Sequence, residues 1–365
     1  MQRSLRGLDS LTLRGPSPHH RRLSFNGDAP WLGRPRASSR SPSAWKSTPT
    51  PAPTSFSKLR AVVLGAAAGG GFPQWNSNAE ACRRARAGDP GAIARTQASL
   101  AVSGDGERWF LINASPDLRE QIQAQQILHP RKGLRSSPIE GIVLTGADVD
   151  AIAGLLHLRE RQAFTVYGSD RVLGVLRANP IFNVLAEDCV RRETIPLGQS
   201  FEPRHVDGSS SGLDVELFDV PGKVALYLET GSSPDQLAGR PGDTVGVEIR
   251  SGGERLVYIP GCAQMTDGLK RRLAGASVVL FDGTLWRDDE MVRLGLGPKT
   301  GQRMGHMSVS GPDGTVASFR DIRVGRKILV HINNSNPILV DDSAERAMLS
   351  QEGWEVACDG MEVSP

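Results

Sequence analysis

From residue 60 onward, short apolar runs rich in Val, Ile, Leu and Phe alternate with breaks containing Gly, Pro, Asn or Asp. Runs of this length and composition read as β-strands, and an unbroken run reads as a strand buried on both faces of its sheet. The pattern predicts strands over residues 60–64, 96–102, 108–112, 139–144, 164–167, 213–218, 224–228, 244–249, 255–259, 277–281 and 327–330. Helical patterning is confined to 118–122, 152–159 and a stretch after Cys262 that runs to about residue 273. Ser103-Gly-Asp-Gly106 between the second and third strands is a hairpin turn signal.

Several strands end in chemistry. Residues 139–144 run into Thr145-Gly-Ala-Asp148-Val-Asp150-Ala151, where two carboxylates two residues apart suit a hard cation or a positioned water. The same pair would also serve as charges favoured at a helix N-terminus. Residues 277–281 run into Asp282-Gly-Thr284, and 327–330 deliver His331, followed by Asn333, Asn334, Asn336 and Pro337. Ligands bind at the carboxyl ends of strands in open α/β sheets, so these termini point to one shared site. The competing reading makes His331 a satisfied core histidine and the Asn-Ser-Asn-Pro run a turn.

His306 follows Gly305 in a glycine-punctuated loop and is unsuited to a core; it reads as a site residue or a solvated one. His157, among leucines, reads as packing. Ser115 or Asp117 either caps the helix that begins at Leu118 or serves a site. The Gly-rich stretch after Leu64 lacks both GxGxxG and a Walker lysine, so its glycines serve close backbone approach rather than nucleotide phosphates.

Charge divides the chain in two. Residues 1–58 hold ten Arg/Lys against Asp9 and Asp28, with eleven Ser and eight Pro; the remainder holds 33 basic and 38 acidic residues. The first segment cannot bury enough apolar surface to offset its ordering entropy and is expected to be a disordered basic extension. Its composition is also that of an organelle transit peptide, and a start assigned too far upstream is the third reading. The acidic remainder offers no footprint for nucleic acid. No run of 18 apolar residues spans a membrane, and four scattered cysteines without CxxC spacing fit a reducing cytoplasm.

Gly65-Ala-Ala-Ala-Gly-Gly-Gly-Phe-Pro-Gln-Trp-Asn76, Asn113-Ala-Ser-Pro-Asp117, Phe281-Asp-Gly-Thr284 with Asp288-Asp-Glu-Met291, Met304-Gly-His306 and Val330-His-Ile-Asn-Asn-Ser-Asn-Pro337 resemble the pyrroloquinoline quinone biosynthesis protein B family. The likeness runs from about residue 60 to Asp359-Gly-Met361, and residues 1–58 have no counterpart in it. It implies an α/β fold, the αββα sandwich of the metallo-β-lactamase type, over residues 59–365, with metal held at one edge by residues at strand ends.

By the same resemblance, Asp148, Asp150 and His331 are the expected metal ligands, and His306 and Asp282 the expected catalytic residues, His306 being a further candidate ligand. The departures are Ala151, where many members have His, Gly146, which supplies no ligand, and the run from Asn76 to Cys82, which replaces a cysteine-rich segment. One thiolate cannot hold a tetrahedral zinc, so no structural zinc is expected there. Two histidines with a carboxylate suit iron, with zinc or no metal as the alternatives.

The implied activity is oxidation, by hydroxylation, of the tyrosine-derived ring of a small-molecule precursor of the quinone. Asn333, Asn334 and Asn336 would hydrogen-bond its carboxylates, and Arg287 or Lys299 would pair with them. Other proteins of the pathway are the expected partners. A soluble carrier moving the quinone or its precursor towards the periplasm is the second reading, and a metallo-hydrolase the third; the missing histidines argue against the last.

Overall fold

In this computed structural model residues 59–231 and 237–363 are described. The expected extension over residues 1–58 lies outside the described residues. The strands, in chain order, are β1 (Arg60–Gly65), β2 (Ser99–Ser103), β3 (Trp109–Ile112), β4 (Ile139–Val143), β5 (Phe164–Gly168) and β6 (Val190–Thr194). There follow β7 (Ser200–Phe201), β8 (Asp214–Asp219), β9 (Val245–Ser251), β10 (Glu254–Ile259), β11 (Val278–Asp282), β12 (Arg326–Val330), β13 (Trp354–Val356) and β14 (Glu362–Val363). The first six pair as β1-β2-β3-β4-β5-β6, and β14 returns to the free edge of β1; the second sheet runs β13-β12-β11-β10-β9-β8-β7.

The unbroken apolar runs are explained by what lies on each side of them. In β1, Ala61 and Val63 face the core between the sheets, whereas Val62 and Leu64 face the helices outside. In β11 and β12, Val278, Leu280, Ile328 and Val330 face inward, and Val279, Phe281 and Leu329 face the outer helices. Each strand residue is therefore apolar because both faces of its sheet are covered, the layering of an αββα sandwich. Burying each Val, Leu, Ile or Phe contributes roughly 1.5–3 kcal/mol.

Strand direction then gathers the site. β3 to β6 are parallel, as are β10 to β13. The carboxyl ends of β3, β4, β10, β11 and β12 consequently emerge at one edge of the sandwich, and the loop after β1 joins them through Ile332 N donating to Ala66 O and Ala68 N donating to Ile332 O.

Several sequence expectations are corrected here. Residues 224–228 are not a strand: Leu226–Leu228 is a 3₁₀ turn with Leu226, Tyr227 and Leu228 exposed. The turn is held by side-chain bonds, Leu226 N donating to Asp148 Oδ1 at 3.4 Å and Tyr227 Oη to Ala147 O at 2.6 Å. β6 escaped the pattern because Val-Arg-Arg-Glu-Thr is mostly polar, as suits an edge strand. The helix expected over 152–159 is a short α-helix, Val149–Ile152, running into 3₁₀ Ala153–Leu158. The tighter winding turns His157 to the surface, where Nε2 meets Pro116 O at 3.2 Å, so it is not a packing residue. Asp117 does not cap helix Leu118–Ala124. It accepts from Gln97 N at 2.8 Å and Gln97 Nε2 at 3.0 Å instead.

Candidate metal centre

At the gathered edge lies a cavity of about 310 Å³ whose wall includes Asp148, Asp150, His306, His331, Lys223 and Lys299. β12 delivers His331 with φ 55°, a left-handed backbone unusual for a non-glycine residue and typical of functional positions. Its Nε2 lies 2.9 Å from Asp150 Oδ2. β11 ends at Asp282, wholly buried, whose Oδ2 is 2.7 Å from His306 Nδ1 and accepts from Cys262 N at 2.9 Å. The two imidazoles stack, with centroids 5.2 Å apart and planes 22° from parallel. Gly305, with φ 86°, lets the chain turn His306 into the cavity; a Cβ there would come within 2.9 Å of Lys223 Cγ.

The electrostatics follow from that pairing. Burial works against charge on His331, yet its bond to Asp150 and the nearby Asp282 and Asp148 raise its pKa above the ordinary value. Burial likewise opposes ionisation of Asp150 and Asp282, but His331 draws the first, and His306 the second, below the usual carboxylate range. Asp148 moves the other way: enclosure by the cavity wall and the Asp150 charge push it up, against Lys223 at 4.0 Å. Asp148 stands at the N-cap of Val149–Ile152 but makes no capping bond, so its carboxylate faces the cavity.

Among the described residues, Asp282, His306 and His331 bring three potential ligand atoms within 4.8 Å of one another. Two imidazole nitrogens and a carboxylate oxygen, with Asp150 alongside, fit a transition-metal ion. Ala151 lines the same wall and supplies nothing to it. In the segment without the cysteine-rich run, Cys82 is buried on helix Glu80–Arg86, its Sγ 3.6 Å from Asn334 Oδ1.

The proposed substrate contacts divide. Lys299 and Asn333 line the cavity, Asn333 held by Ser335 Oγ at 2.6 Å, which in turn donates to Glu290. Asn334 and Asn336 are corrections. Both are buried. Asn334 Nδ2 donates to Gln74 Oε1, and Asn336 donates to Gly283 O at 2.8 Å and accepts from Ile338 N at 3.1 Å. Their amides hold the turn, so they are not free to meet a carboxylate in the cavity. Arg287 is also corrected: it is exposed and pairs with Asp289 at 3.4 Å, away from the cavity wall.

Three cavity residues carried no assigned role in the sequence reading: Asn113, Lys223 and Thr284. Asn113, left-handed at φ 65°, clasps the carboxylate loop by accepting from Thr145 N at 2.9 Å and donating to Thr145 Oγ1 at 2.8 Å. Its signal was present, an Asn directly after a buried strand.

Comparison with known proteins extends these observations. Residues 108–332 match the Beta-lactamase superfamily domain. The chain is 58% identical over 303 residues to coenzyme PQQ synthesis protein B of Gluconacetobacter diazotrophicus, covering 83% of this chain and 98% of that one. It is 53% identical over 303 residues to the protein of the same name from Methylorubrum populi, covering 83% and 99%. Among solved structures, Zn²⁺-bound PqqB from Methylobacterium extorquens aligns with a TM-score of 0.80 and 52% identity over 84% of this chain and all of that one, 100%. A diphosphatase of the PhnP family shares the fold at 18% identity, with a TM-score of 0.58 over 85% of this chain and 98% of that one.

Proposed function

The chain belongs to the coenzyme PQQ synthesis protein B family of the β-lactamase superfamily, with a role in pyrroloquinoline quinone biosynthesis, and we propose that its step is hydroxylation of the tyrosine-derived precursor ring. The observation that carries this reading is the convergence of His306, His331 and Asp150 on one cavity beside Lys299 and Asn333, with the buried Asp282 held against His306. His306, His331 and Asp150 would hold the metal ion, with Asp148 as a further carboxylate on the wall and Asp282 fixing His306.

Bound there, iron would supply activation of dioxygen; zinc, the ion in the Methylobacterium structure, would supply Lewis acidity. The chain's own residues do the rest. Lys299 and Lys223 draw the precursor's carboxylates to the mouth, and Asn333 offers an amide to orient them. Asp148, its carboxyl pushed up, is suited to carry a proton at the cavity wall. Leu226, in the 3₁₀ turn Leu226–Leu228, adds an apolar side chain to the cavity wall.

The test is metal analysis of the full chain and of His331→Ala after growth with added iron, followed by incubation with precursor, dioxygen and a two-electron reductant, so that one oxygen atom enters the ring and the other leaves as water. Near-stoichiometric iron that disappears in His331→Ala, together with a product heavier by one oxygen atom, is the expected result. A second reading, a carrier for the quinone or its precursor, is favoured by Ala151, which leaves one wall of the cavity without a ligand. Tight precursor binding without any change in its mass would select it.

A further inference from the structure

Exposed apolar side chains are not spread evenly over the surface. Thirteen large ones are exposed among the described residues, and seven of them sit on the loops that frame the cavity mouth, which makes one patch rather than isolated positions. Trp75, with 84% of its surface exposed, is on the loop after β1, and Val149 follows Asp148 on the loop after β4. Leu226, Tyr227 and Leu228 form the 3₁₀ turn, and Val292 and Leu294 lie on the connection between β11 and Lys299.

Contacts close these loops into a ring. Asp148 Oδ1 accepts from Leu226 N at 3.4 Å, and Glu229 ties the turn to Arg303 at 2.8 Å. Helix Gly301–Met304, which carries Arg303, is joined to the 286–294 loop by Gln302 N donating to Asp288 Oδ1 at 2.7 Å. On the other side Met291 Sδ lies 3.2 Å from Asn333 Nδ2, and the next residue, Asn334, donates to Gln74 beside Trp75. Gly69 returns the circuit to the carboxylate loop, since a Cβ on it would lie 3.5 Å from Asp150 Oδ2.

The same rim is basic, although residues 59–365 as a whole hold 33 basic and 38 acidic residues. Arg83 and Arg86, exposed on helix Glu80–Arg86, are bonded to the Trp75 loop through Asn78 O and Ser77 O at 2.6 Å each. Arg293 is exposed between Val292 and Leu294, and Lys299 stands at the cavity wall. Among the described residues none of these four cations has a carboxylate within 4.0 Å. The acids of the rim are engaged elsewhere: Asp289 with Arg287 at 3.4 Å, Glu229 with Arg303, Asp148 with Lys223 at 4.0 Å and Asp288 with the Gln302 amide. Glu80 is the exposed exception.

Apolar and aromatic side chains at the tips of separate loops, interleaved with unpaired cations, have the chemistry of a bilayer interface. Trp and Tyr favour the headgroup level, and Arg and Lys meet anionic headgroups. We propose that this rim docks the chain on an anionic phospholipid surface with the cavity mouth turned to the bilayer. The contact is with the surface, since no helix of the described residues is long and apolar enough to cross a membrane. Charge disfavours two other occupants. Residues 1–58, with ten basic and two acidic residues, carry the sign of the rim, and so does the rim of a second copy. The inference does not depend on which reaction or ligand the cavity serves.

The experiment is co-sedimentation of the full chain with vesicles of phosphatidylcholine alone, and of phosphatidylcholine and phosphatidylglycerol in equal parts, for wild type, Trp75→Ala and the double variant Arg83→Gln/Arg293→Gln. Wild type should partition onto the anionic vesicles at least about 10-fold more strongly than onto the neutral ones, and added salt should release it. Each neutralised arginine should weaken partitioning about fivefold, and Trp75→Ala should weaken it about 10-fold. Bromine on the acyl chains should quench the fluorescence of wild type more than that of Trp75→Ala, a readout of the Trp75 ring itself. All three positions are exposed, so melting temperatures should stay near wild type. Absence of vesicle binding overturns the proposal, as does equal partitioning onto the two vesicle types. Binding left unchanged in both variants also overturns it, because residues 1–58 would then be the anchor. A concentration-dependent dimer that Trp75→Ala dissolves, without vesicle binding, overturns it in favour of a second copy.

Discussion

Asp150 and His331 are 181 residues apart in the chain, and their side chains meet with Oδ2 and Nε2 at 2.9 Å. One comes from the loop after β4 in the first sheet and the other from the end of β12 in the second, so this contact joins the two halves of the sandwich across the cavity. Substituting Asp150→Asn keeps the shape and removes the charge that raises the His331 pKa. Metal affinity is expected to fall about 10- to 100-fold, read by chelator competition. Unchanged affinity would show that Asp150 lies outside the metal's reach.

Lys299 and Asn336 were grouped by sequence as substrate contacts, and the structure separates them. Lys299→Ala should weaken precursor binding while the melting temperature stays within a degree or two of wild type, as for a surface substitution of about 0.5 kcal/mol or less. Asn336→Ala should do the reverse. It leaves Gly283 O and Ile338 N without their buried partner and should cost about 1–3 kcal/mol in denaturant unfolding, with precursor affinity in the surviving folded protein unchanged.

Gly154 packs the 3₁₀ segment behind the carboxylate loop against the end of β3. A Cβ there would lie 2.1 Å from Ser115 O and 2.8 Å from Ala114 C, where Gly154 N donates to Ala114 O at 2.8 Å. Backbone on both sides cannot yield cheaply. Gly154→Ala is expected to destabilise the fold by about 1–3 kcal/mol, measured by urea unfolding, and to loosen metal binding because Asp150 rides on the same segment. Wild-type stability would mean that the segment shifts freely.

Asp359 pins the C-terminal segment to the start of the sandwich, accepting from Thr96 N and Thr96 Oγ1 at 2.7 Å each and from Ala66 N at 3.1 Å. Burial outweighs these donors and pushes its carboxyl up to about 6. A raised folded-state value means that the contribution is full below the unfolded pKa of about 4 and is lost as pH rises through about 6. The loss is at most about 3 kcal/mol. Melting temperatures of wild type should therefore decline between pH 4 and about 6.5 relative to Asp359→Asn, in which the step is absent. Parallel curves would refute the assignment.

The sequence by itself determined most of the strands, their layering and the candidate site residues at strand ends. Runs such as Val-Val-Leu in β1 and Ile-Leu-Val in β12 are apolar at every position, and only a sheet covered on both faces asks for that. It also marked Asp148, Asp150, Asp282 and His331, because a polar side chain directly after a buried run sits at a strand end. Tertiary structure alone decided the partners. Periodicity reports which face a residue occupies but not what stands opposite, so nothing local distinguished Asp150, paired with His331, from Asp148, left facing the cavity. For the same reason Asn333 and Asn336 look alike in the chain, although one lines the cavity and the other is locked into the turn beneath it. The apolar residues 224–228 read as a strand because their burial could not be known; in the fold, side-chain bonds to Asp148 and the Ala147 carbonyl hold them as an exposed turn at the cavity mouth. A site made from two sheets is a set of pairwise distances, and those exist only once the sheets have packed.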